Sequence, residues 1–333
     1  MDCCGLDRRR FIGGVLGLAA GGLAFAKGRR IRLAFCSQTL CILPYVVAQK
    51  RGYFAEQGLN VELIYARGGG AALQALVGRA VDYAATSLDA QLQAYKNGAP
   101  IRRFAASGRL PLFALAVAPK ASAKIRTLED LEGKTVGISA LGNADHALLL
   151  YLLAKAGVDA SRIRFATMGP NLFEALRVGH LEAGMVQEPA LTLLLAQGGR
   201  VLVNFMDLEQ TRRYLGGSYA FLGVVVRKDE VEERLDEMRR LSKALEAALE
   251  FIHAAPGRLI VDALPSALIA GGNRKQLDAI VERYRKSIYP RTTRLDLEAA
   301  ARVVEAQKLA GLLPAGFQWR ELFLPEVLEG AKS

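Results

Sequence analysis

The chain has 333 residues, 51% hydrophobic, 7% aromatic and 23% charged, and its 44 Lys+Arg against 33 Asp+Glu give a net charge of +11. That length normally makes two domains, and the apolar fraction is ample for two cores. The positive balance favours encounter with anions. The basic residues are scattered in pairs such as Arg102-Arg103, Arg212-Arg213 and Arg239-Arg240, without the aromatic platforms on which bases stack, so nucleic acid is not an expected partner.

The first element is an export signal. Asp7-Arg8-Arg9-Arg10-Phe11-Ile12 supplies a positive head, Phe11 to Phe25 a short apolar middle, and Ala24-Phe25-Ala26 a small-x-small end, the three parts of such a segment. The paired arginines suggest the twin-arginine route, which overlaps in pattern with the general one. The stretch is shorter than a membrane span and broken by Gly13, Gly14, Gly17, Gly21 and Gly22, so it does not read as an anchor. Cleavage near Ala26 is expected to release a periplasmic protein starting near Lys27. It removes three arginines and two aspartates, leaving +10.

Ile31 to Phe35 reads as a strand, Leu43 to Phe54 as a helix closed by Gly58, and Val61 to Tyr65 as a second, alternating strand. Gly68, Gly69 and Gly70 open a helix through Val77; Val81 to Ala84 is a strand and Asp89 to Tyr95 a helix. Two apolar strands follow, Arg103 to Ser107 and Leu112 to Val117. Alternating strand and helix predicts an α/β unit with a mostly parallel sheet covered on both faces.

The pattern then restarts. Thr127-Leu128-Glu129-Asp130 resembles a helix-opening capping box. Thr135 to Ile138 is a strand, Asn143 to Ala156 a helix, and Ile163 to Ala166, Phe173 to Val178, Ala183 to Val186, Ala190 to Ala196 and Val201 to Val203 continue the alternation. Tyr219 to Val226 is a near-continuous apolar strand suited to a sheet interior, followed by almost wholly helical chain. Val231, Leu235, Met238, Leu241, Leu245, Leu249 and Ile252 form one stripe. Further helices run from Leu277 to Ile288 and from Leu297 to Leu309. These helices need a sheet to cover, and the first unit is the natural host. The expected division is a first lobe of residues 27–117 and 218–333, a second of 118–217, and two adjacent linkers forming a hinge.

Cys3 and Cys4 leave with the signal; Cys36 and Cys41 either form a disulfide or stay as two buried thiols. His146, His180 and His253 are far apart, so no zinc site is expected. Gly133-Lys134-Thr135 ends like a phosphate loop, but Leu128 stands where the leading glycine belongs. Gly137-Ile138-Ser139-Ala140-Leu141 lacks the closing glycine of a nucleophile elbow. No enzyme motif and no cofactor motif remains.

Tyr45-Val46-Val47-Ala48-Gln49-Lys50-Arg51-Gly52-Tyr53-Phe54-Ala55-Glu56-Gln57-Gly58-Leu59-Asn60-Val61, after a strand, resembles the opening of ABC-importer solute-binding proteins, in the branch that binds sulfonates, taurine, nitrate and thiamine-type pyrimidines. Ala72 to Tyr83, Thr127 to Gly137 and the acidic-proline turn Gln187-Glu188-Pro189 match the same branch. The resemblance covers residues 31 to about 325. It implies a two-lobed periplasmic-binding-protein fold, each lobe a mostly parallel sheet flanked by helices and joined by a two-strand hinge. It also implies capture of a small polar or anionic organic solute (sulfonate, taurine, nitrate, aromatic carboxylate or thiamine-type pyrimidine), an ABC permease as membrane partner, and a monomer without catalytic activity, cofactor or metal. The alternatives are a sensory solute-binding module and a thiamine-pyrimidine-synthase-like enzyme. Members of the latter kind carry a cysteine-rich stretch that the mature chain lacks.

Ligands in such sheets sit outside the carboxyl ends of the strands. Those ends carry Ser37, Gln38 and Thr39; Gly68, Gly69 and Gly70; Thr86, Ser87 and Asp89; then Ser139, Gly142 and Asn143; and Glu188. Gly68 to Gly70 and Ser139 to Asn143 resemble anion cradles at helix entrances; both are also ordinary caps. Glu188 either meets an N–H donor of the solute or pins its own loop. Tyr219 either walls the site or packs in the core, and Arg109 is expected to brace the hinge rather than reach a solute.

Overall fold

The computed structural model describes residues 29–36, 39–266, 273–325 and 327. The export signal with its end near Ala26, and the candidate site residues Ser37 and Gln38, lie outside the described residues, as does the side chain of Cys36, on which any pairing with Cys41 depends.

Three β-α steps and a fourth strand open the first sheet. Strand β1 (Arg30–Cys36) leads to α1 (Thr39–Arg51) and α2 (Tyr53–Glu56), β2 (Asn60–Ala66) to α3 (Gly69–Val77), and β3 (Tyr83–Ser87) to α4 (Leu88–Lys96) and β4 (Ile101–Ala106). The chain crosses and builds a second sheet from β5 (Ala114–Val117), β6 (Thr135–Ile138), α5 (Ala144–Lys155), β7 (Arg164–Thr167), α6 (Leu172–Val178), β8 (Ala183–Val186), α7 (Ala190–Ala196) and β9 (Arg200–Asn204). After α8 (Leu208–Leu215) it returns as β10 (Leu222–Arg227) and finishes in α9 (Leu235–Ala254), α10 (Gly257–Val261), α11 (Arg274–Ile288) and α12 (Leu297–Leu309).

The sheet orders are β2-β1-β3-β10-β4 and β7-β6-β8-β5-β9. In each, the strand that has just crossed, β10 or β5, is antiparallel to both neighbours, and the others run parallel. Both crossing strands are buried throughout, as strands covered on two faces must be. This arrangement fixes where the two lobes meet. Leu222, the start of β10, pairs with Ser87, the carboxyl end of β3. Ala114, the start of β5, pairs with Val186, the carboxyl end of β8. Each crossover therefore joins one carboxyl rim to the other, and the two rims face one another.

The crossovers run side by side. Tyr219 N–H donates to Arg109 O at 2.9 Å, Phe221 N–H to Gly108 O at 3.1 Å, and Phe205 N–H to Phe113 O at 3.0 Å. The rings of Phe113 and Phe221 meet edge to face at 5.9 Å. Arg109 caps the carbonyl end of α11, with Nε donating to Ser287 O at 2.9 Å and Nη2 to Lys286 O at 2.8 Å, a placement the helix dipole favours. It braces the hinge.

Four local expectations are corrected. Strand β5, assigned in sequence to the first lobe, pairs in the second sheet. Tyr219 to Phe221 are not strand but crossover, because their N–H groups go to Arg109, Ala299 and Gly108 and not to sheet neighbours. The capping-box segment forms only a short 3₁₀ turn, Glu129–Leu131, with the Asp130 carboxylate accepting from the N–H groups of Arg126 and Thr127. Helix α8, capped by Asp207 on Gln210 N–H, has no counterpart in the sequence reading. The C-terminal helices also do more than cover the first sheet: α9 lies on α1 and α2, and α12 spans α4 of one lobe and α5 of the other.

Gly223 in β10 is a packing requirement. A β-carbon there would lie 2.3 Å from the Arg103 guanidinium carbon and 2.5 Å from Ala105 O. Gly223→Ala is expected to destabilise the protein by about 3 kcal/mol or more, since overpacking is compounded by expulsion of Arg103. A urea midpoint unchanged from wild type would contradict this.

Candidate functional site

The first rim presents the starts of α1, α3 and α4. Thr39 is the half-buried first residue of α1. Gly68 precedes α3 at φ +97°, and no side chain caps that helix. The first intrahelical donor is Ala72, bonded to Gly68 O at 3.3 Å, so the amides of residues 69–71 point out of the helix without an intrahelical acceptor. A β-carbon at Gly69 would press on Thr86 and Ala90, both at 3.3 Å, whereas one at Gly70 meets nothing within 4 Å. Gly69 thus lets α3 approach α4, and Gly70 fronts open space, as a close backbone approach by a solute requires.

The start of α4 is closed internally. Ser87 Oγ accepts from Ala90 N–H at 3.3 Å. Thr86 is fully buried, and its carbonyl and hydroxyl both receive Gln91 Nε2. Gln91 also donates to Gly223 O at 2.9 Å and accepts from Arg103 Nη1 at 2.8 Å. Asp89 is 1% exposed. Its Oδ1 accepts from Tyr219 Oη at 3.2 Å and Gln307 Nε2 at 2.8 Å, while its Oδ2 has no partner. Burial raises its pKa to about 6, against the lowering effect of the Gln307 and Tyr219 hydrogen bonds; the charge of Asp145 from the second lobe adds to the rise. Tyr219 is buried and donates to Asp89, so it packs as part of this cluster.

On the second rim the apparent cradle is occupied by its own helix. Ser139 N–H donates to Asp145 Oδ2 at 2.5 Å and Ser139 Oγ to Asp145 Oδ1 at 2.6 Å. Gly142 N–H donates to His146 Nδ1 at 3.0 Å, and Asn143 Nδ2 to Ser139 Oγ at 3.0 Å. A carboxylate in the first turn of a helix does for these amides what a bound anion would. Burial raises the pKa of Asp145 and lowers that of His146. Glu188 accepts from Thr192 N–H and Oγ1, both at 3.0 Å, which pins the start of α7. Burial raises its pKa against those two bonds and the charge of Arg283.

Contacts between the lobes complete the region. Asn204 Nδ2, at the end of β9, donates to Tyr284 Oη of α11 at 2.9 Å, and Lys155 of α5 lies 3.5 Å from Glu305 of α12. Sequence reasoning missed Gln91, Arg103, Asp145, His146 and Gln307. The acid and histidine in the first turn of α5 were a readable signal, since such residues reach back to the preceding loop. Gln307 meets Asp89 across 218 residues, and nothing local announces that. Among the described residues, no group of three or more His, Cys, Asp or Glu could hold a metal ion, and no helix is long and apolar enough to cross a membrane.

Two helix-flanked sheets with opposed carboxyl rims and a double crossover define the two-lobed fold of periplasmic solute-binding proteins. The chain belongs to the NMT1/THI5-like family, whose model matches residues 41–258. A protein from Bordetella bronchiseptica RB50 is similar in structure at TM-score 0.78 and 23% identity, over 90% of this chain and 96% of that one. The alkanesulfonate-binding protein of Xanthomonas axonopodis pv. citri, bound to MOPS, gives 0.69 and 20% over 89% and 98%. The periplasmic nitrate-binding protein of Synechocystis PCC 6803 gives 0.70 and 15% over 90% and 87%. At these identities the likeness is one of fold. No curated protein sequence matches the chain.

Proposed function

We propose that this protein is the extracytoplasmic solute-binding component of an ABC importer, taking a small polar or anionic organic solute between its lobes. The observation that carries this reading is the opposition of the two carboxyl rims across paired crossovers, the geometry in which a hinge closes on a ligand. Thr39, Gly69, Gly70, Thr86, Ser87 and Asp89 would supply one wall, Ser139, Gly142, Asn143 and Glu188 the other, with Tyr219 beneath; Ser37 and Gln38, next to Thr39 in the sequence, belong to the same reading. The uncapped start of α3 supports an anionic group of the solute there. The unpartnered Oδ2 of Asp89 supports an N–H donor elsewhere on it, so a taurine-type zwitterion or an aminopyrimidine suits the region better than nitrate.

The pairing of β5 favours a first lobe of about residues 27–113 with 218–333 and a second of 114–217. Export, cleavage near Ala26, a permease partner and a monomeric state belong to the same reading. A thermal-shift screen of sulfonates, taurine, nitrate, aromatic carboxylates and aminopyrimidines tests it. At a hundredfold excess over Kd a true ligand adds about 2.7 kcal/mol, which raises Tm by several degrees, and Gly70→Asp, which puts a carboxylate at the α3 amides, is expected to remove the shift for an anionic solute. The absence of any shift across the panel would count against the reading.

A further inference from the structure

The two crossovers have a second side. Tyr219 points to Asp89, and in extended chain its neighbours Ser218 and Ala220 point the other way. There they line a cavity of about 360 Å³ behind the hinge, together with Arg103 of β4, Arg109 of the other crossover, and Arg291, Arg294 and Asp296 from the loop before α12. The volume suits a small organic or inorganic ligand. The cavity shares no residue with the walls of the cleft in front.

Its charge is one-sided. Four arginines and one aspartate line it, and Asp296 Oδ1 is already engaged with Ala299 N–H as the cap of α12. The Arg103 guanidinium bonds Gln91 Oε1 and Leu222 O and that of Arg109 the Lys286 and Ser287 carbonyls, so the exposed Arg291 and Arg294 are the pair that would meet an occupant. Among the described residues none of the four arginines makes an ion pair within 4.0 Å. Arg103 is 1% exposed and its Nε has no partner; burial lowers its pKa to about 10. Arg109 is depressed by burial and then by the charges of Arg212 and Arg291. Burying a cation without a paired anion is costly, and an anion beside Arg291 and Arg294 would offset part of that cost for the half-buried Arg109. Guanidinium forks match carboxylate and phosphate oxygens in geometry.

We propose that this cavity is a second binding site, taking a small multivalent anion of phosphate or carboxylate chemistry at the back of the hinge. An occupant there touches both crossovers and the loop that leads into α12, so it ties the hinge to the first lobe.

The test is calorimetric titration of the protein with inorganic phosphate and, separately, with citrate, at constant ionic strength. Wild type, Arg291→Gln/Arg294→Gln and Gly70→Asp are compared. Arg291 and Arg294 are exposed, so the double variant is expected to fold, checked by an unchanged urea midpoint. Expected is saturable binding of one or both anions at millimolar concentration, weakened about tenfold or more in the arginine double variant and unchanged in Gly70→Asp. The arm that binds distinguishes free phosphate from a polycarboxylate. No binding of either anion overturns the proposal. So does binding that Gly70→Asp abolishes and the arginine variant leaves intact, because the anion is then in the front cleft.

Discussion

Arg234→Ala is expected to lower the stability of the fold by about 3–5 kcal/mol, a large part of what a domain has to lose. The guanidinium of Arg234 is 5% exposed and holds three carboxylates at once: Glu230 at 2.6 Å, Glu237 at 2.8 Å and Asp82 at 3.1 Å. Asp82 also accepts the Arg32 N–H at 2.7 Å, and Tyr83 Oη donates to Glu237 at 2.6 Å. Arg227 bonds the same Glu230 and the carbonyls of Leu76 and Val81. The network ties β1, β3, β10 and the start of α9 together at the amino rim of the first sheet, the rim away from the proposed site. Removing the arginine leaves acids buried beside one another with less than their share of positive charge, and the penalty is that of the stranded acids rather than of one lost bond. Urea unfolding at pH 7 measures it. Arg177→Ala, which breaks an exposed pair with Glu174, is the contrast and is expected to cost less than about 1 kcal/mol. A loss below about 1 kcal/mol for Arg234→Ala would show that water reaches the network. Solute binding at the opposite rim is expected to persist in whatever fraction remains folded.

Asp89→Asn is expected to remove the Asp89 share of a fall in stability with pH between about pH 4 and 6, a fall to which buried Asp145 and Glu188 also contribute. Asp89 titrates at about 6 in the folded protein against an ordinary 3.8. The folded state therefore binds the proton more tightly than the unfolded chain, and stability falls as pH rises through that window. The gap corresponds to roughly 3 kcal/mol by pH 7. Asparagine carries no charge, so the stability of the variant relative to wild type is expected to climb with pH by up to that amount. The constant offset between the two is a separate matter: the new amide would sit where Oδ2 has no partner, and an unsatisfied buried donor costs about 1–3 kcal/mol. Parallel stability–pH curves for the two proteins would show that Asp89 does not titrate in this range. A bound solute that donates an N–H to Oδ2 favours the ionised acid, and is expected to move the wild-type transition toward lower pH.

Much of the architecture was legible residue by residue. The strands Thr135–Ile138 and Ala183–Val186 and the helices Ala190–Ala196 and Leu297–Leu309 stand where periodicity and flanking turns put them, since a short apolar run between breakers leaves few other options. Polar Leu208–Leu215 escaped because its charged surface hides the stripe. The capping-box motif misled because Asp130 caps a single turn that nothing packs into a helix. In the candidate site, the rule that ligands gather at strand ends brought both rims together from sequence. It did not foresee that Asp145 and His146 would take the amides of Ser139 and Gly142, or that Ser87 would serve its own helix.

The amino-acid sequence by itself determined most of the elements, their alternation and the glycine-marked rims, because these depend on side-chain period and on backbone freedom within a few residues. Tertiary structure alone decided which sheet received β5, that Asp89 would lie buried between Tyr219 and Gln307, and that Arg109, Arg291 and Arg294 would line one cavity. Those outcomes turn on contacts between segments far apart in the chain, where burial and the pairing of charge, rather than local propensity, select the arrangement.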